Sequence, residues 1–345
     1  MKHLSINLLP NVLCVLLLLT ASASVQAQST LELVKERGHL KCQVGSPTPG
    51  SFELTIDGKW RGLDVDTCRA VAAAVFGDPD KVEFVSATSA IRFTILNSGE
   101  VDMLSRTTTW TISRDTQLGI DFVATNFYSG QAFMLPKHLG VSSPLELKGA
   151  TVCVLTGTTS EANLSDFSRA NGLDIQIAVF EDDPVMNDTY LKEGCDSISF
   201  DNTALAGTRS TFDKPGDHVI LPQMISKEPL SIAVRHGDNQ WADIARWSFY
   251  ALVAAEELGV TAANAVAMRE SPPNSNVARL LGVEGDLYRG LGLDPDWSYN
   301  IIRLLGNYGE IYERHFGSGG LGIDRAGTQN DLWTRGGLMY SPPFR

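Results

Sequence analysis

Basic residues are in short supply. The chain has 28 Lys and Arg against 40 Asp and Glu, a formal net charge of −12. A surface of that sign argues against a nucleic-acid partner, which needs a basic patch. It says nothing against a small anionic or zwitterionic ligand, which reads only the local field of a pocket. Cysteine is scarce too, five in 345 residues, and no two are spaced CxxC, so the usual spacing of a thiolate zinc site is missing. Beyond the N-terminus no long apolar run occurs, which leaves no stretch long enough to cross a bilayer as a helix. No Ser-His-Asp order, no Cys-His pair and no metal-ligating cluster stands out, so the expectation is a binder with no cofactor, no metal and no reaction of its own. The glycine-rich string GSGGLG at 317–322 has neither a preceding strand nor a βαβ frame, and so is not a dinucleotide fingerprint.

The N-terminus has the order of a secretory leader. Lys2 and His3 precede an apolar core from Val12 to Leu19, and small residues follow up to Ala27. Residues 1–27 are therefore read as a signal peptide, with cleavage after Ala27 preferred over Ala23, and the destination as the periplasm. Removal would leave about 318 residues, enough for two domains. Export makes the cysteines informative. Cys42, Cys68, Cys153 and Cys195 lie beyond the leader, and an even number in an oxidising compartment favours disulfides. Three pairings are possible. If the first and middle parts of the chain are separate domains, the pairs are Cys42 with Cys68 and Cys153 with Cys195.

The segment from Thr107 to Gly130, TTTWTISRDTQLGIDFVATNFYSG, organises the rest. It sets hydroxyls at Thr107 and Thr109 five to seven residues before a single guanidinium, Arg114. A guanidinium fork grips a carboxylate with two parallel hydrogen bonds, and hydroxyls complete the shell. Upstream, the pattern alternates strands and helices. It predicts a strand over Leu40–Val44, a helix from Asp64 to Gly77, and a strand over Val82–Val85. A helix capped by Ser89 follows, then a strand over Val101–Leu104 that delivers the threonines. Strand-helix-strand order implies a parallel sheet, and such sheets bind ligands outside the carboxyl ends of their strands.

The middle of the chain repeats this grammar. A strand at Thr151–Leu155 runs into Gly157-Thr158-Thr159-Ser160-Glu161, where Thr158 and Glu161 have capping-box spacing and a helix N-terminus offers an anion site. A further strand, Cys195–Phe200, presents Asp201-Asn202 at its end. Asp201 is read either as the cap of the next helix or as a carboxylate for a ligand. An arginine with hydroxyls from one lobe, and helix-terminal N–H groups with a carboxylate from the other, would suit a molecule carrying both a carboxylate and an ammonium. The simplest is an α-amino acid.

The strings GLDVDTCRAVAAAVFGD (62–78), RFTILNSGEVDMLSRTTTWTISRD (92–115), VCVLTGTTSE (152–161), LPQMISKEPL (221–230) and DWSYNIIRLLGNYGEIYERH (296–315) together carry a family resemblance. The chain resembles the periplasmic amino-acid-binding proteins of ABC importers, bacterial solute-binding protein family 3, closest to the general L-amino-acid-binding proteins of alphaproteobacteria. The resemblance implies an α/β chain with the type II periplasmic-binding fold: two α/β lobes joined by two β-strand crossovers, with a C-terminal helical extension. On this reading 28–130 begins lobe 1, Gln131 to Leu135 is the first crossover and 136–230 is lobe 2. Ser231 to Val234 begins the return, 231–270, and 271–345 is an extension packing on the lobes.

The resemblance also implies site roles. Arg114 clamps the ligand carboxylate, Thr107 and Thr109 hold ammonium and carboxylate, Thr158 and Thr159 complete the carboxylate site, and Asp201 binds the ammonium. Phe52, in the loop SPTPGSFEL, and Trp110 are the candidates for the ligand side chain. The implied partners are an L-amino acid and the permease subunits of an ABC transporter in the inner membrane. A dehydratase on the same fold and a sensory binding protein are alternative uses of one pocket. Aromatics at Trp297, Tyr299, Tyr308, Tyr312 and Phe316 are expected to pack against the lobes, the alternative being an extra surface for the permease.

Overall fold

The computed structural model describes residues 28–345; the leader read over 1–27 lies outside the described residues. The first lobe begins with α1 (Thr30–Arg37), β1 (Leu40–Val44), the short pair β2 (Glu53–Leu54) and β3 (Trp60–Arg61), and α2 (Leu63–Phe76). It continues through β4 (Val82–Ser86), α3 (Arg92–Ser98), β5 (Met103–Leu104), α4 (Ile112–Gln117) and β6 (Ile120–Ser129). The Ala- and Val-rich α2 is buried along almost its whole length. Its helix stops at Gly77, whose φ of 69° is the left-handed conformation that closes helices at glycine.

The second lobe holds β7 (Gln131–Pro136), β8 (Thr151–Leu155), α5 (Thr159–Asn171), β9 (Gln176–Phe180) and α6 (Asp183–Leu191). After these come β10 (Ser197–Asp201), α7 (Asn202–Ser210) and β11 (His218–Ile220). The chain then returns through β12 (Glu228–Arg235), α8 (Asn239–Glu257), α9 (Ala265–Glu270), α10 (Ser275–Leu280), α11 (Leu287–Leu291), α12 (Trp297–Leu305) and α13 (Tyr308–His315).

Each lobe has one five-stranded sheet, in the orders β4-β1-β5-β12-β6 and β11-β7-β10-β8-β9. Both are mixed, where the strand-helix-strand pattern predicts parallel sheets. In the first, β1 is parallel to β4 and β5, but β12 is antiparallel to both β5 and β6. In the second, β7 runs against β10 and β11. The antiparallel members are the strands that enter and leave the lobes.

The crossings themselves fall beside the residues expected. Gln131–Pro136 is a full strand of the second sheet, and Ser231–Val234 pairs with β6 inside the first. The chain passes between sheets at Gly130 and over 221–227. These two passages touch: a Cβ on Gly130 would lie 2.8 Å from the Ser226 carbonyl and collide with Met224.

Cys42 pairs with Cys68 and Cys153 with Cys195, one disulfide inside each lobe, with Cα separations of 6.1 and 5.9 Å. The C-terminal segment joins the first lobe's core. Trp297, Ile301, Tyr308, Tyr312 and Phe316 are buried with Val71, Phe127, Leu252 and their neighbours. Polar anchors hold it there. Asp66 on α2 bonds Arg314 and His315, each at 2.7 Å. Asn330 donates to the carbonyl and accepts from the N–H of Tyr128 on β6, at 2.8 and 2.7 Å.

Candidate functional site: a cleft between the two sheets

The carboxyl ends of β5 and β10 face one another across the lobes. Past β5 the chain stays extended beside β12: Ser231 N–H donates to the Thr108 carbonyl and Trp110 N–H to that of Pro229, both at 2.9 Å. Thr107 interrupts this run with φ of 41°, a left-handed conformation uncommon for a β-branched residue. The buried Asp64 accepts its N–H at 3.2 Å and fixes the turn. Local strain held by a buried anchor is a frequent mark of a binding site.

Arg114 comes from the first turn of α4 and is nearly buried. Its Nη1 donates to the Thr109 carbonyl at 2.9 Å, and its Nη2 reaches across the lobes to the Gly157 carbonyl at 3.4 Å. Burial lowers the guanidinium to about 10, against the pull of Glu228.

From the second lobe, Gly157 turns with φ of 69° into α5. The Thr158 hydroxyl accepts from the Glu161 N–H at 3.3 Å and donates to the Leu155 carbonyl at 2.6 Å. The expected capping box forms by half: the Glu161 carboxylate takes the Gly157 N–H in place of that of Thr158. Asp201 ends β10. It sits in the cap position of α7 yet makes no side-chain cap bond, and its Oδ1 is buried without a partner. The helix-cap reading of this residue is therefore set aside. Burial raises its carboxyl to about 8, with the Glu228 charge adding to the push.

Thr107, Thr109, Arg114, Thr158, Thr159 and Asp201 line one cavity between the lobes. It leaves about 10 Å³ of room, roughly what one water needs. The lobes meet around it. The Thr109 and Thr159 hydroxyls are 3.4 Å apart, and Arg92 Nη2 donates to the Gly157 carbonyl at 3.0 Å. The structure is the closed arrangement, and an occupant of amino-acid size has to enter with the lobes apart.

A family model for bacterial extracellular solute-binding proteins, family 3, matches residues 43–263. This chain belongs to that family. Among family 3 relatives, the glutamate/glutamine/aspartate/asparagine-binding protein of Rhodobacter capsulatus is 51% identical over 94% of this chain and 95% of its own. The general L-amino acid-binding periplasmic protein of Rhizobium johnstonii is 48% identical over 95% and 96%. A solved ABC transporter periplasmic binding protein from Brucella ovis, with glutathione bound, superposes with a TM-score of 0.89 at 48% identity. That match covers 92% of this chain and all of the other.

Two aromatic candidates of this family 3 chain stand outside the cavity. Phe52 is 3% exposed and packs with Val44 and Val65, its ring filling the space over Gly45. Trp110 stacks on Phe122 at 5.7 Å, with its outer face in solvent.

Conversely, Glu228 belongs to the site and is not among the residues expected there. It is 3% exposed and accepts from Thr109, from Thr159 at 2.8 Å, from Asn163 at 2.8 Å and from Ser226. Its signal is visible in the strand EPLSIAVR, where alternation sets a carboxylate on the same face as Leu230, Ile232 and Val234. Arg92 and Arg106, also buried, line the cavity too, with Ser89, Ser160 and Phe200.

Proposed function

We propose that this chain captures L-amino acids between its lobes in the periplasm, after export on residues 1–27, and hands them to the inner-membrane permease of an ABC importer. The observation that carries this reading is the pairing across one closed cavity of a buried guanidinium, Arg114, with a buried carboxyl, Asp201, whose Oδ1 has no partner. Arg114 takes the α-carboxylate, the α5 terminus at Thr158 and Thr159 completes its shell, and the hydroxyls of Thr107 and Thr109 hold ammonium and carboxylate. Asp201 takes the ammonium. Glu228 orients the Thr109 and Thr159 hydroxyls by accepting from both. The amino-acid-binding relatives support the ligand class.

Ligand contacts to both lobes exist only when they are shut, so binding shifts the population to the closed form by the free energy of those contacts. Titration calorimetry of the full chain against the common amino acids tests the reading. Arg114→Ala should weaken binding by about 3 kcal/mol, because it leaves a desolvated carboxylate without its partner. Unchanged affinity would remove Arg114 from the site.

A further inference from the structure

Glu228 stands where both lobes and both passages between them converge. It opens β12, paired with Ser129 at the end of β6. It is buried but is not one of the residues that line the cavity, so it lies behind the threonines that a ligand meets.

Its four donors divide into two pairs. Thr109 and Ser226 move with it: Thr109 bridges to Leu230 of the same strand, and Ser226 is two residues back along the chain. Thr159 and Asn163, each at 2.8 Å, come from the first two turns of α5 in the second lobe. Each carboxylate oxygen takes one donor from each pair, Oε2 from Thr109 and Thr159, and Oε1 from Ser226 and Asn163. The Ser226 hydroxyl in turn accepts the Gln131 N–H at 3.3 Å, which ties the second passage to the first. Turning the lobes apart about these passages removes the α5 pair and leaves the other in place. Hydrogen bonds to a charged group are worth more than those between neutral groups, so their loss weighs on the open form. No ligand atom takes part in this exchange.

We propose that Glu228 is a positioning residue that clasps α5 to the first lobe on closure, and so sets how long any bound amino acid is held without choosing among them. The inference rests on the amino-acid reading of the cleft and adds a control of its closure. Asn163 isolates the clasp. It does not line the cavity, and among the described residues its one side-chain bond runs to Glu228.

The test uses Asn163→Ala and Glu228→Gln in the full chain. A pair of spectroscopic labels reads the interlobe distance of the empty protein, and calorimetry with stopped-flow release follows alanine, leucine and glutamine. Asn163→Ala places a better helix former within α5, so the fold is kept. It should lengthen the distance and speed release about tenfold for all three amino acids, with affinity falling by the same factor and the ratios among them unchanged. Glu228→Gln should do the same more strongly, because its amide turns a donor toward two donors. Unchanged distance and release in Asn163→Ala overturn the clasp. So does a changed ranking of the three amino acids in either variant, which makes Glu228 a selector of ligand. Should the natural chain bind no amino acid, the cleft reading falls, and the distance measurement still decides on the clasp.

Discussion

At the scale of single residues, the site proposed around Asp201 predicts a coupling of closure to protons. Its carboxyl titrates near 8 in the shut, empty cleft, and an opened cleft returns it to water and toward its ordinary value of about 4. Closing without a ligand therefore takes up a proton at any pH between these values. The sign follows: as pH falls from about 8 toward 4 the empty closed form gains, by up to tenfold in population per pH unit, and below that window the gain is complete. An ammonium on Asp201 replaces the proton, so closure on an amino acid lacks this dependence. Interlobe distance, read by a pair of spectroscopic labels, should shorten on acidification in the empty protein and not in Asp201→Asn. A distance independent of pH in the natural chain would show that Asp201 stays charged on closure. The role of Asp201 was open to sequence reading because it ends a strand. Glu228 shows in the sequence only as a carboxylate on an apolar strand face, because three of its four donors lie 65 to 119 residues away and meet only in the fold.

Among the elements, α13 shows what local patterns leave out. Its Asn307–Glu310 capping box is a local device, but its destination is not local, since docking depends on a partner some 250 residues earlier. That partner is Asp66. Burial pushes its carboxyl up, but His315, Arg314 and Arg69 outweigh this and hold it below the ordinary value. A depressed carboxyl contributes stability above its unfolded range and loses it as pH falls through the folded value, so this anchor weakens only in acid. Asp66→Asn should lower stability by about 2 kcal/mol in urea unfolding at neutral pH, by leaving the buried His315 ring without its acceptor and Arg314 and Arg69 without their counter-ion. A shift within error would mean that the apolar contacts of α12 and α13 suffice. The expected Ser89 cap does not form, for a related reason. Helix α3 starts three residues later, with Ile91 in the cap position, because the Ser89 carbonyl and hydroxyl serve Arg92 and Arg106 instead. Strand direction was likewise illegible where β12 inserts, since pairing between distant segments leaves no local trace.

Taken whole, the proposed cycle has the lobes alternate between apart and shut, and Gly207 in α7 lies against the opposite lobe in the shut structure. A Cβ there would run into the Pro49 carbonyl of the opposite lobe. Within the helix, alanine is favoured over glycine by about 1 kcal/mol. Gly207→Ala should therefore keep or raise the melting temperature of the empty protein while weakening amino-acid binding by about tenfold, the equivalent of 1.4 kcal/mol against closure. A fall in melting temperature with affinity intact would place that contact in both states. The two-lobed plan itself was readable, since strand-helix alternation restarts after Gly130. The burial of the C-terminal segment in one lobe gives the plan a mechanical bias. Its bulk and its anchors all thicken the same half, so in the proposed cycle that half would serve as the anvil and the other as a light lid. A probe fixed to the lid would then tumble with the loading cycle, while one fixed to the heavy half would report little more than the diffusion of the entire particle.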